Sequence, residues 1–331
     1  MDTFRDKEVP LPIAPDTPLR ISRRAFLKGH VFRRNLIWFL MALPALLWLL
    51  IFKYLPLIGV SIAFTDYKVR RGLAGSEFVG LDNFRFLFAT ETAIRATVNT
   101  VVLNVLFISV GVVFALLVAW LFFEVYNSQL TRYYQTLLLL PRFISWVVVS
   151  YFVYALLATD NGVINNILRN LGVQPVSWYN SPEYWRVILL LVSLWAGVGV
   201  GSLIYLSGML AIDPQLFEAA RIDGASKWQQ FIYVTFPMVV PLIIINVLLS
   251  MAGIISADFG LFFQVPRNQP LLYPVTDVLD TYIYRSLTVT QNISMAAAAQ
   301  FYQSIVGFVL VILFNWIVRR IERADEPLSL F

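Results

Sequence analysis

Six runs of mainly apolar residues dominate the chain: Asn35 to Leu57, Val98 to Val125, Thr136 to Leu157, Val187 to Ala211, Met238 to Phe263 and Ser294 to Val318. A bilayer core takes about 20 apolar residues as a helix, so each run is long enough to cross one. Within hydrocarbon no water satisfies backbone N–H and C=O groups, which leaves the helix as the form for isolated spanning runs. The expectation is an all-α membrane protein with six transmembrane helices. Composition agrees: 59% of the residues are hydrophobic and 14% charged, against about a quarter charged in soluble domains. The fifth run is the least regular, because Asp258 interrupts its outer end.

Basic residues set the orientation. With the N-terminus inside, fourteen lie on the cytoplasmic side: Arg5, Lys7, Arg20, Arg23, Arg24, Lys28, Arg33, Arg34, Arg132, Arg221, Lys227, Arg319, Arg320 and Arg323. Nine lie outside (Lys68, Arg70, Arg71, Arg85, Arg95, Arg169, Arg186, Arg267 and Arg285). The bias is strongest at the first helix, which favours cytoplasmic N- and C-termini. The chain divides into an N-terminal arm and interfacial helix (1–34), a six-helix domain (35–318) containing a polar loop at 213–241, and a C-terminal tail (319–331). Pro10, Pro12, Pro15 and Pro18 make the start of the arm extended. Residues 19–34 interleave apolar and basic side chains as an interfacial helix does. A signal peptide is rejected, since the apolar run reaches full spanning length without a small-residue cleavage site.

The chain has no cysteine and a single histidine, His30. Thiolate chemistry, disulfides and histidine-based metal sites are therefore excluded. The net charge of +5 is placed to suit a membrane face, and no nucleic-acid partner is expected. No G-x-x-x-x-G-K-[ST] loop occurs, so ATP is not bound by this chain in the P-loop manner. No nucleophile elbow, paired catalytic histidines or metal-ligand cluster appears either, and the chain is not expected to be an enzyme.

The polar segment between the fourth and fifth runs has its own local signals. Asp213 is placed to cap a helix starting at Pro214, and Gly224 ends that helix. Ser226 with Gln229 has capping-box spacing, so a second short helix starts there and runs until Pro237 and Pro241 restrict it. Within the segment, Glu218-Ala219-Ala220, Asp223-Gly224-Ala225, Phe231, Val234, Phe236 and Pro237 resemble the EAA loop of ABC importer permeases. Val234 and Phe236 depart from the usual Ile and Leu but stay apolar.

Further likeness comes from Phe78-Val79-Gly80-Leu81-Asp82-Asn83-Phe84, Phe143-Ile144-Ser145-Trp146-Val147-Val148 and Asp280-Thr281-Tyr282-Ile283-Tyr284-Arg285. These are similar to the polysaccharide and complex-oligosaccharide branch of carbohydrate permeases, alginate-type importers included. The resemblance covers about residues 35 to 320.

This resemblance implies a type I ABC importer permease fold with a cytoplasmic coupling helix, in a bacterial inner membrane. It implies a second permease subunit, two cytoplasmic ATPase subunits that bind ATP and Mg, an external solute-binding protein and an oligosaccharide solute. Glu218, Ala219, Ala220, Asp223, Gly224 and Pro237 are the expected coupling residues. Glu218 suits a charge-assisted contact, the two alanines suit close approach, and Asp223 suits the turn. Another solute class, a secondary transporter or a polytopic enzyme are the alternatives.

Polar groups inside spans are candidates for the pathway, because they are costly unless they face a cavity or partner. The set is Asn104, Trp146, Tyr151, Tyr154, Asp258, Gln300, Tyr302 and Gln303; amides and carboxylates can bond sugar hydroxyls, and rings can stack on pyranoses. Interhelical bonding is the competing role for each. Arg142 has two readings, snorkelling or gating. Gly197 and Gly201 form a G-x-x-x-G pattern that suits either close packing or a cavity wall. Lys68, Arg70 and Arg71 fit an acidic saccharide and fit docking of a binding protein equally well.

Overall fold

The computed structural model describes residues 29–125 and 129–321. The N-terminal arm, most of the interfacial helix and most of the C-terminal tail lie outside the described residues. The chain separates into two compact units, 1–58 and 59–331.

In the first unit, α1 (Gly29–Leu49) passes into a π-helical turn at Leu50–Tyr54. Leu55 N–H there bonds the Leu50 carbonyl five residues back. A 3₁₀ stretch, Leu55–Phe64, begins in this unit and ends in the next.

The second unit opens with a short antiparallel hairpin, β1 (Thr65–Asp66) and β2 (Glu77–Phe78), with Thr65 opposite Phe78. Two helices follow, α2 (Asp82–Ala89) and α3 (Glu91–Glu124). Then come α4 (Gln129–Leu139), α5 (Trp146–Leu157), α6 (Val163–Asn170) and α7 (Trp185–Leu210). The polar segment forms α8 (Pro214–Ile222) and α9 (Lys227–Gln230), which lead into α10 (Phe236–Ala252). The chain ends with α11 (Phe259–Gln264), α12 (Tyr273–Thr276), α13 (Leu279–Thr288) and α14 (Ile293–Ile321).

Among the described residues, five helical stretches are long and apolar enough to cross a membrane: Trp38–Phe64, Glu91–Glu124, Pro182–Leu210, Lys227–Ala252 and Ile293–Ile317. The expected third span is different. It is a broken pair, Gln129–Phe143 and Trp146–Leu157, bent by 102°. Pro141 tightens the end of the first half into a 3₁₀ turn, Ile144 is extended, and Ser145 caps the second half by accepting from Val148 N–H. Both Pro141 and Ser145 are breaker and cap signals that the apolar run concealed.

The fifth span also differs from expectation. It ends at Ala252, and Asp258 sits beyond it as the N-cap of α11. At its other end the prolines do not stop the short helix; Lys227 to Ala252 is one continuous helical stretch. A π-helical turn at Phe231–Thr235 shifts the ladder, so Phe236 N–H bonds the Phe231 carbonyl. That register relieves the clash Pro237 would make one turn back.

Of the three buried clusters among the described residues, two join α3 and α7. At one end Leu103, Val149, Val153, Trp185, Leu189, Leu261 and Phe262 are buried together. At the other, Ala115, Ala119, Phe122, Tyr205, Met209, Phe231 and Val239 join α3, α7 and α10. Close approach depends on Gly199, where an added Cβ would run into the Leu138 carbonyl of α4. The G-x-x-x-G pattern therefore divides: Gly199 between its two members makes the tight contact, a Cβ on Gly201 would meet Ala115 at 3.0 Å, and Gly197 faces open space.

Candidate functional site

Two regions at opposite ends of the bundle carry unusual polar chemistry. The first is the 213–241 segment. Asp213 accepts from Gln215 N–H at 2.9 Å and starts α8 at Pro214, as its sequence predicts. Gly224 has φ +77°, where a side chain would be strained, and Ala225 N–H returns to the Ala220 carbonyl at 2.9 Å. The capping box is complete: Ser226 N–H donates to Gln229 Oε1 at 2.7 Å and Gln229 N–H to Ser226 Oγ at 3.3 Å.

None of the α8 residues is buried. Glu218 and Ala219 are exposed and Ala220 is half-buried, while Asp223 caps the helix C-terminus and Pro237 opens α10. Ile222, at the tip, is 86% exposed. It lies beside the glycine elbow, outside the apolar runs, where lipid gives no reason for an uncovered isoleucine. Sequence reasoning passed over this residue, although an apolar side chain at the end of a polar helix was a readable signal.

The knob is seated on the end of α3. Phe123 packs against Phe217 (ring centroids 5.4 Å) and Trp120 against Trp228 (5.4 Å) and Phe231 (5.0 Å). Lys227 pairs with Glu124 at 2.5 Å. Between these elements lies a cleft of ≈ 670 Å³ bounded by Glu124, Pro214, Phe217, Glu218, Arg221 and Lys227.

The second region surrounds the irregular link from Gly253 to Asp258, between α10 and α11. Non-helical backbone deep in a membrane protein must have its polar groups satisfied by protein. Three helices do this. From α3, Asn104 donates through Nδ2 to the Ile254 carbonyl at 2.7 Å and the Ser256 carbonyl at 2.9 Å. From α14, Gln303 donates to the Ile255 carbonyl at 2.9 Å and to Asp280 at 3.2 Å. From α13, Asp280 accepts from Ala257 N–H at 2.7 Å. Asp280 escaped the sequence reading as a clamp, although it opens the motif ending in Arg285.

The clamped link presents Asp258. Its Oδ1 accepts from Gly260 and Leu261 N–H at 3.0 and 3.3 Å, and its Oδ2 from Trp146 Nε1 at 3.0 Å. A Cβ at residue 260 would overlap the Trp146 ring, so the glycine lets the indole lie on the start of α11. Asn104, Arg142, Trp146, Ser193, Gly197 and Asp258 line a ≈ 250 Å³ cavity. A second space of ≈ 210 Å³ shares Phe107, Ser193 and Gly197 and extends to Gly111, Gly201 and Ser250.

The structure therefore brings Asn104, Trp146 and Asp258 together and adds Arg142. It does not bring the other candidates to this cavity. Gln303 is buried in the clamp, Gln300 borders a separate shallow space, and Tyr302 packs edge-on against Phe88. Tyr151 and Tyr154 stand exposed farther along α5, beneath the Arg267 guanidinium.

The segments at 78–84 and 280–285 build the scaffold over this end. Asn83 Nδ2 donates to the Ala63 and Thr65 carbonyls at 2.9 and 3.1 Å, and Gly80 turns the chain with φ +60°. Asp277, almost fully buried, pairs with Arg285, whose guanidinium lies 4.2 Å from the Tyr273 ring centroid. No group of His, Cys, Asp and Glu suited to a metal occurs among the described residues.

Apolar spans surrounding a polar cavity, with a capped helical knob at one end, define a membrane permease of the type I ABC importer fold. The chain belongs to the family described as binding-protein-dependent transport system inner membrane component, which matches residues 111–323. It is 32% identical over 285 residues to the polygalacturonan/rhamnogalacturonan transport system permease protein YteP of Bacillus subtilis (strain 168), covering 85% of this chain and 87% of that one. It is 28% identical to the lactose transport system permease protein LacF of Rhizobium radiobacter, over 78% of this chain and 87% of the relative. Among solved structures, a bacterial ABC transporter involved in import of the acidic polysaccharide alginate superposes with a TM-score of 0.81 at 32% identity, covering 91% of this chain and 100% of that one. A bacterial alginate ABC transporter in complex with alginate pentasaccharide-bound periplasmic protein gives 0.80 at 33%, covering 89% and 98%.

Proposed function

We propose that this chain is one of two permease subunits of an ATP-driven importer that carries an oligosaccharide across a bacterial inner membrane. In this reading an external solute-binding protein delivers the sugar, and two cytoplasmic ATPase subunits, holding ATP and Mg, drive the cycle. The relatives support the solute class, since their names refer to polygalacturonan, rhamnogalacturonan, lactose and alginate. The basic-residue bias supports cytoplasmic termini and puts the 213–241 knob on the cytoplasmic side.

The observation that carries the coupling role is α8 itself. It is a helix with no buried residue, capped at both ends, whose tip holds an uncovered Ile222 and whose flank holds Glu218. An apolar tip with an acidic flank fits a cleft on a partner that offers an apolar floor and a basic rim. ATP-driven closure of the ATPase pair then moves α8, and the aromatic seat on α3 carries that displacement into the bundle.

At the other end, the cavity beneath Trp146 and Asp258 is the proposed sugar pathway. Asp258 is an acceptor for hydroxyls, and Trp146 offers a flat apolar face. The groups that clamp the link, Asn104 and Gln303, act through the geometry they impose.

Co-purification of the tagged chain with its partners, followed by reconstitution in proteoliposomes, tests this reading. Saccharide-loaded binding protein is expected to raise ATP hydrolysis and drive uptake of labelled sugar. A chain that purifies without ATPase subunits and moves solute without ATP would overturn it.

A further inference from the structure

Helices α5 and α11 lie against each other and run in step. At one end they present Trp146 and Asp258 to the cavity. Eight residues farther along α5, roughly 12 Å at the helical rise, Tyr154 meets Arg267, which follows the end of α11. The Arg267 guanidinium carbon is 4.4 Å from the Tyr154 ring centroid and 5.4 Å from that of Tyr151.

This second cluster is built. Arg267 and Asn268 both adopt left-handed backbone, φ 56° and 49°, which L side chains rarely enter. Arg267 N–H bonds the Gln264 carbonyl at 3.0 Å and Asn268 N–H the Phe263 carbonyl at 3.1 Å, so two bulky residues close α11 where glycine is usual. Tyr273 holds Asn268 by donating to its Oδ1 at 2.9 Å. From below, Tyr179 packs on Tyr154 (ring centroids 5.6 Å) and donates to the Val265 carbonyl at 3.4 Å. Burial pushes the Tyr179 hydroxyl up to about 12, which keeps it a donor.

The cation held there is uncommitted. Arg267 is exposed, and no carboxylate among the described residues pairs with it. A guanidinium lying over ring faces keeps its N–H edges free for a bidentate acceptor, and carboxylate geometry matches that fork. The neighbouring tyrosines present flat faces of the kind pyranoses stack on.

We propose that Arg267, Tyr154 and Tyr151 form an outer station for a carboxylate-bearing pyranose, a uronate unit, ahead of the Trp146–Asp258 cavity. Arg267 takes the carboxylate in this arrangement and the tyrosines take the ring face. This inference rests on the saccharide reading above, because it assigns the charge class of that sugar.

The test uses the complete reconstituted importer with its binding protein and two matched probes, trigalacturonate and its carboxyl-reduced counterpart. Arg267→Met is expected to raise KM for trigalacturonate about tenfold, the loss of a charge-assisted bond, and to leave KM for the reduced sugar in place. Arg267→Lys is expected to restore part of the difference. A second readout exploits the absence of cysteine from the chain. In a Tyr151→Cys variant, labelling by an external thiol reagent should slow more with trigalacturonate than with the reduced sugar, and Arg267→Met should erase that difference.

If Arg267→Met impairs both sugars equally, the arginine docks the binding protein and the station is wrong. If it impairs neither, the station is wrong and the saccharide reading stands. Failure of the wild-type importer to move either probe would sink both.

Discussion

The Lys227 ammonium lies 2.5 Å from a Glu124 carboxylate oxygen, tying the first residue of α9 to the last residue of α3. Each charge sits at the helix end that opposes it, an acid at a C-terminus and a base at an N-terminus. Their pairing offsets both. Because Glu124 is the less exposed partner, at 22%, the contact retains some strength, but solvent screening holds its stability contribution to about 1 kcal/mol or less. Its larger consequence is mechanical, since it fixes the knob to a spanning helix. Glu124→Gln and Lys227→Met are each expected to lower sugar-stimulated ATP hydrolysis several-fold while the complex still assembles. The exchange Glu124→Lys with Lys227→Glu should recover most of it. A swap no better than the single variants would show that the pair does not carry coupling.

Glu218 is the second coupling prediction. Its side chain borders the cleft between α8 and α3, and α8 has no buried residue to lose. Glu218→Ala should therefore leave folding and the affinity for loaded binding protein unchanged. Uptake and stimulated ATP hydrolysis should fall by about tenfold, the scale of one charge-assisted contact. Full transport by this variant would remove Glu218 from the coupling surface.

The knob was readable in the sequence almost residue by residue because its determinants are local. Asp213, Pro214, Gly224, Ser226 and Gln229 each act within a few positions, and caps and turns obey short-range rules. The break at Ile144–Ser145 was hidden by hydropathy, which averages over a window and cannot see one extended residue. Asn104 and Gln303 illustrate a different limit. Their composition suits sugar recognition and backbone clamping equally, and only the position of residues 254–257, some 150 and 48 positions away in the chain, decides where their amides point.

That clamp makes a prediction of its own. Removing the Asn104 amide in Asn104→Leu leaves the Ile254 and Ser256 carbonyls without this donor, at about 1–3 kcal/mol for each group left unsatisfied. Gln303→Leu removes the donor to Ile255 and a partner of Asp280. Both variants should lower the melting temperature of the purified complex. Any rise in KM for sugar should accompany that fall in stability, because these amides act through the geometry of the link that presents Asp258. A specific KM change with unchanged melting would instead make these amides sugar ligands.

Asp258 separates fold from chemistry more finely. Asp258→Asn retains one oxygen, which can still cap α11, while its NH2 takes the place of the oxygen that accepts from Trp146 Nε1, so assembly should persist while the carboxylate charge and the indole's acceptor disappear from the cavity. The expected outcome is altered uptake kinetics or sugar preference, and unchanged kinetics would take Asp258 off the pathway. Asp258→Ala also deletes the cap, costing about 1 kcal/mol, and should add a fall in thermal stability to the transport defect.

Gly197 and Gly199 give the sharpest contrast, being two residues apart on one helix with opposite surroundings. Nothing lies within 4 Å of a Cβ added at Gly197, which faces the cavity, whereas a Cβ at Gly199 would overlap the Leu138 carbonyl. A flexible side chain can rotate out of a clash; the backbone of a neighbouring helix has to move as a body. Gly199→Ala is thus expected to separate α7 from α4 and to cost at least the ~1–3 kcal/mol typical of overpacking, seen as lost assembly or a lower melting temperature. Gly197→Ala should assemble normally, and enlarging that residue further, as in Gly197→Leu, should narrow the cavity and slow large sugars before small ones. Equal tolerance of alanine at both positions would mean that α7 and α4 do not approach as closely as Gly199 permits.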